Sequence, residues 1–126
     1  MRILFDTNVI LDVLLDREPF SSIAAKLFSK VESGDISGYV CATTITTIYY
    51  LACKVIGADP AMEEIKKLTA LFEVAPVNRA VLDSAVSSEF KDFEDAVAHG
   101  SAIYKEVQGI VTRYFSGFEK SGGGPV

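Results

Sequence analysis

MRILFDTNVILDVLLD, residues 1–16, holds a strand signal, a polar break and a helix signal within one short span. Ile3, Leu4 and Phe5 form an apolar run that stops at Asp6. Thr7 and Asn8 follow, and Val9, Ile10, Val13 and Leu14 then recur with helical spacing. The pattern predicts a buried strand carrying Asp6 at its carboxyl end and passing directly into an amphipathic helix. In open α/β sheets ligands bind beyond the carboxyl ends of the strands. A carboxylate there is costly unless it is paired or ligated, which makes Asp6 the leading candidate for a functional side chain. Asp12 and Asp16, one helical turn apart, read as a solvated face.

Strand and helix signals alternate through the rest of the chain. Ser21 or Ser22 is expected to cap a second helix with Ile23, Ala24, Leu27, Phe28 and Val31 on one face, ended by Gly34 and Asp35. Ile36 to Ala42 reads as a second strand. Thr43 or Thr44 is expected to cap the helix ITTIYYLACKVI, which is apolar nearly all round and therefore expected to be buried on several sides. Pro60 suits the first turn of a fourth helix with Ile65, Leu68 and Leu71 inward. Phe72 to Val77 is a third strand, Asn78 a helix cap, FEDAVAHGSAIYKEV a helix opened by Asp92, and Gly109 to Thr112 a fourth strand. Strands alternating with helices predict an α/β fold of three layers, α/β/α, around a mainly parallel central sheet. Residues 1–120 read as a single domain, and 121–126, a Gly-rich run, as a flexible tail.

The chain has 126 residues, enough for one compact core at an apolar share of 49%. Its net charge of −5 argues against a protein that coats nucleic acid through a general basic field. It leaves room for an acidic metal pocket, where a bound cation inverts the local field. The two cysteines, Cys41 and Cys53, form no Cys-x-x-Cys pair and suggest neither a disulfide scaffold nor zinc. The opening residues do not read as a signal peptide and no stretch is long enough to span a bilayer, so a cytoplasmic protein with no membrane partner is expected.

A second group of acids, Asp92, Glu94 and Asp95, lies at the start of the late helix. Asp92 and Asp95 are three residues apart and share a helix face. Brought to Asp6 across the crevice of a wound sheet, two or three carboxylates suit Mg²⁺ or Mn²⁺, which prefer oxygen ligands and retain waters. A structural account competes: Asp92 as N-cap, with Glu94 and Asp95 complementing the helix dipole. Asp95 is the one expected to point inward, with Ala98 and Ala102. His99, the only histidine, reads as a helix-packing residue, because no serine or cysteine sits in a nucleophile setting. Tyr49 and Tyr50 read as core. No Gly-rich phosphate loop precedes a helix. Arg113, after the fourth strand, is a candidate phosphate contact.

Three segments in this order, FDTNVILDVL, DFEDAVAHGSA and GIVTRYFSGF, resemble the PIN domain, the nuclease fold of VapC-type toxins. The resemblance covers essentially the whole chain. It implies a ribonuclease that cuts single-stranded RNA with Mg²⁺ or Mn²⁺ held by three or four acids, belonging to a type II toxin–antitoxin pair. It further implies a homodimer and an antitoxin that plugs the acidic groove, for which an arginine-bearing segment is a good match. By this resemblance Asp6 and Asp95 are metal ligands and catalytic, Thr112 is a catalytic residue that orients a ligand or water, and Asn8 lies near the first acid. Asp92, Glu94 and Asn8 are further candidates to bind or support the metal.

The chain departs from the family pattern in two places. The third-helix segment offers Thr46, Thr47, Tyr49 and Tyr50 where many members carry a glutamate, and Tyr114 and Gly117 stand where acids are common. The implied site is reduced to Asp6 and Asp95, which predicts weakened metal binding and activity. A catalytically silent module that binds RNA or a protein partner is the alternative. A haloacid-dehalogenase-type phosphatase shares the strand ending in Asp, but has a second Asp where this chain has Asn8.

Overall fold

A computed structural model describes residues 1–113. Tyr114, Gly117 and the 121–126 tail lie outside the described residues. The order is β1 (Arg2–Phe5), α1 (Thr7–Leu14), α2 (Phe20–Glu32), β2 (Ser37–Cys41), α3 (Ala42–Ile56), α4 (Ala58–Leu71), β3 (Glu73–Ala75), α5 (Arg79–Val86), α6 (Phe93–Tyr104) and β4 (Gly109–Val111). The strands lie in the order β3-β2-β1-β4 and every pairing is parallel. β1 is central, with Leu4 opposite Tyr39 on one side and Ile110 on the other.

Alternation along β1 divides the core. Ile3 and Phe5 point to one face, where they pack with Val9 and Ile10 of α1, Phe28 of α2, Ile48 of α3 and Leu68 of α4. Leu4 points to the other, with Val81 and Ala85 of α5 and Ala96, Val97 and Ala102 of α6. These two helical layers around a parallel sheet are the α/β/α arrangement read from the sequence. The rings of Phe5, Phe28 and Phe72 meet edge to face at centroid distances of 5.1–5.7 Å. Gly38 of β2 makes room for this cluster, since a Cβ there would stand 2.7 Å from the Phe72 ring.

Several local expectations are corrected. α2 begins at Phe20, so Ser21 and Ser22 lie inside it. Instead of capping, Ser21 donates to the carboxylates of Asp16 and Glu18, and Ser22 to that of Glu18. α3 begins at Ala42, one residue beyond β2, which puts Thr43 and Thr44 inside the helix. α3 is covered on several sides, as its composition predicts, but not all round. Ile48 and Ala52 are buried, but Tyr50 and Val55 are about two-thirds exposed, so Tyr50 is not core. Packing on α4, α1, β2 and α6 leaves one face of the helix open. β3 is shorter than read, and α6 ends at Tyr104, before Val107. Asn78 does cap α5, its Oδ1 accepting from the Val81 N–H at 2.9 Å.

Asp12 is the largest reversal. It is not on a solvated face but 1% exposed. Its carboxylate accepts from Arg17 Nε at 3.0 Å, from Arg113 Nε at 3.0 Å and from Arg113 Nη2. The Arg113 guanidinium also lies 4.2 Å from the centroid of the Phe20 ring. One buried acid thus joins α1, the turn after it and the end of β4.

Candidate active site

Asp6 leaves β1 at its carboxyl end, and its N–H donates to the Val111 carbonyl at 3.0 Å, which continues the β1–β4 ladder up to the site. Helix α1 begins at the next residue, so Asp6 occupies the N-cap position, where short polar residues are favoured. Helix α6 reaches the same end of the sheet. Its small Ala96, Val97 and Ala102 pack closely, and the fully buried Ser101 donates to the Pro76 carbonyl at 3.0 Å. Its N-terminus is fixed by Asp92, whose Oδ1 accepts from the Asp95 N–H at 3.2 Å.

These elements enclose one hollow of about 600 Å³. Asp6, Asn8, Asp92, Glu94, Asp95 and Thr112 all line it. Residues 6 and 95, 89 positions apart, therefore share an acidic cavity. Arg113 does not line it, because its guanidinium is engaged by Asp12, and the expected phosphate contact is not what the geometry shows.

The electrostatics report crowding. Burial, then the Asp95 charge, pushes the Asp6 carboxyl up to about 6, against weaker downward pulls from the Thr7 and Asn8 N–H groups. Asp95 is also raised, first by burial and then by Asp92 and Glu94. Glu94 reaches across to α3. Thr47 Oγ1 donates to its Oε2 at 3.1 Å, and Thr7 Oγ1 lies 3.5 Å from its Oε1. Thr7 also lies 3.2 Å from the buried Thr44 hydroxyl.

Buried carboxylates crowded by neighbouring negative charge also favour a cation. Asp6 and Asp95 are the pair with oxygen donors suited to a small hard ion, which is commonly held by one or two carboxylates with waters and substrate phosphates. Among the described residues no three carboxylate, imidazole or thiol groups converge closely enough to hold a metal by themselves.

Thr47, Leu51, Phe90 and His99 also line the hollow, and the sequence reading assigned none of them to it. His99 was within reach of that reading, as it lies one helical turn after Asp95. Phe90 was not, since it precedes the helix in a segment without periodicity.

A parallel sheet with two carboxylates, distant along the chain, lining one hollow beyond its strand ends defines an α/β protein with an acidic pocket. The PIN domain family profile matches residues 2–115, and the chain belongs to that family. Ribonuclease VapC1 of Aquifex aeolicus (strain VF5) is 24% identical over 103 residues, 78% of this chain and 71% of that protein. Mycobacterium tuberculosis VapC20, described as a sarcin-ricin loop cleaving toxin, superposes with a TM-score of 0.76 at 14% identity, covering 94% of each chain. A chain of VapBC2 from Rickettsia felis, solved bound to a promoter DNA fragment, superposes with a TM-score of 0.72 at 11% identity, covering 95% of this chain and 92% of that one.

Proposed function

We propose that this protein is a metal-dependent endoribonuclease acting on single-stranded RNA, the toxin of a type II toxin–antitoxin pair. The observation that carries the proposal is the shared hollow of Asp6 and Asp95, where each carboxylate sits at a raised affinity for positive charge. A Mg²⁺ or Mn²⁺ ion held there would activate a water and stabilise charge on a phosphodiester. The chain's own residues do the rest. Asp6, at the end of β1, and Asp95, in the first turn of α6, would hold the ion. Thr112 and Asn8 face the same space and orient ligands or water. Glu94, held by Thr47, keeps further negative charge at the rim. Family membership and the VapC relatives support the nuclease reading. The toxin–antitoxin relatives support an antitoxin whose basic segment neutralises the hollow. The homodimer and the cytoplasmic location belong to the same proposal. Among the described residues no helix is long and apolar enough to cross a membrane.

A short single-stranded RNA incubated with Mg²⁺ or Mn²⁺ tests this. Asp6→Asn and Asp95→Asn should each lower cleavage about a hundredfold or more, because several kcal/mol of charge stabilisation are removed. Cleavage that survives either substitution, or that persists in EDTA, would refute the assignment. The reduced acid set favours a second reading, a silent module on the same fold. Metal and RNA binding without any cleavage would establish it.

A further inference from the structure

The hollow is lined by two unlike sets of side chains. One is the carboxylate set already described. The other is apolar and aromatic, made by Leu51, Phe90, Ala98, His99 and Ile110. The Phe90 and His99 rings pack against each other with centroids 5.1 Å apart, tilted by 40°. Both are only partly buried, so ring surface remains available to the cavity. His99 follows Asp95 by one turn of α6, a rise of about 6 Å, comparable to the separation of phosphate and base within a nucleotide.

We infer that the Phe90–His99 pair is a stacking subsite for a nucleobase next to the phosphate held at the carboxylates. The inference rests on the nuclease reading and adds to it how the strand is gripped. Net charge of −5 gives this chain little general attraction for RNA. Affinity must then come from local contacts, and base-on-aromatic stacking is a large local term that tolerates any base. The aromatic pair lines the same cavity as the carboxylates, which ties its occupant to their ligand. An unpaired strand is required, since a stacked duplex offers no free base face. The subsite therefore also accounts for a single-strand preference.

Fluorescence anisotropy with short single-stranded RNA tests the inference. Binding is measured in Ca²⁺, with an abasic residue placed at each position in turn. In the unaltered protein, one abasic position should weaken binding about tenfold. Phe90→Leu and His99→Gln, which keep an apolar and a polar side chain respectively and lose stacking surface, should weaken the intact RNA and erase that difference. An abasic effect that persists unchanged in both variants overturns the subsite. Mg²⁺-dependent cleavage with no abasic effect at any position overturns the subsite and leaves the nuclease reading standing. Absence of both RNA binding and cleavage overturns both. Variants that bind RNA normally but lose affinity for a protein partner reassign the pair to that partner's side chain and overturn the inference.

Discussion

Asp6→Asn should make the metal-free protein more stable at neutral pH. The carboxyl is raised from 3.8 to about 6, chiefly by burial and by Asp95. The folded state therefore holds the proton more tightly than the unfolded chain. The associated stability is fully present below 3.8, falls as the pH rises, and is gone above about 6. At 1.36 kcal/mol per unit, the ionised side chain costs the fold about 3 kcal/mol at pH 7.5 relative to an ordinary carboxylate. Asparagine has nearly the same shape, can still accept from the Thr7 and Asn8 N–H groups, and carries no charge. Urea denaturation in EDTA at pH 7.5 should show the variant more stable by up to about 3 kcal/mol, which is roughly 10 °C in Tm for a domain of this size. At pH 4.5 the gap should close to about 1 kcal/mol. Mg²⁺ should then stabilise the unaltered protein and not the variant, because only the former binds it. A variant no more stable than its parent at pH 7.5, or a difference that does not change with pH, would refute the reasoning. Either result would mean that Asp6 is not held in a desolvated, like-charged hollow.

Two further substitutions test the scaffold around the site. Asp12→Ala removes the buried carboxylate that Arg17 and Arg113 both bind, and should cost about 3–5 kcal/mol in urea denaturation. A loss below about 1 kcal/mol would show that these ion pairs behave like solvated surface bridges. Gly38→Ala pushes a methyl group against the Phe72 ring at 2.7 Å and should cost about 1–3 kcal/mol. An unchanged denaturation midpoint would mean that the three-phenylalanine cluster can shift without penalty.

Much of the fold and half of the site were legible in the order of residues. Ile3 to Phe5 announce a buried strand, the 3.6-residue repeats announce the helices, and Asn78 and Asp92 announce helix starts. Each of these is a property of neighbours within about one turn or one strand. Asp6 stood out for the same reason, as a charge placed where a buried strand stops. Asp95 was legible as an inward-facing acid, but its partner was supplied by the resemblance and by the topology.

Other features were open until the chain closed. Asp12 reads as solvated by every local criterion, and it is buried because Arg113, 101 residues later, arrives beside it at the end of β4. Tyr50 reads as core and faces outward, because the elements packed around α3 leave one of its faces to solvent. Glu94 and Thr47 meet because α6 and α3 approach the same strand ends from opposite layers. Local sequence determines which segments form and which of their faces is apolar, since those terms act between residues close along the chain. Which charges become neighbours, and so which carboxylates share a hollow, is decided by contacts between distant elements, because only folding removes the water that separates them.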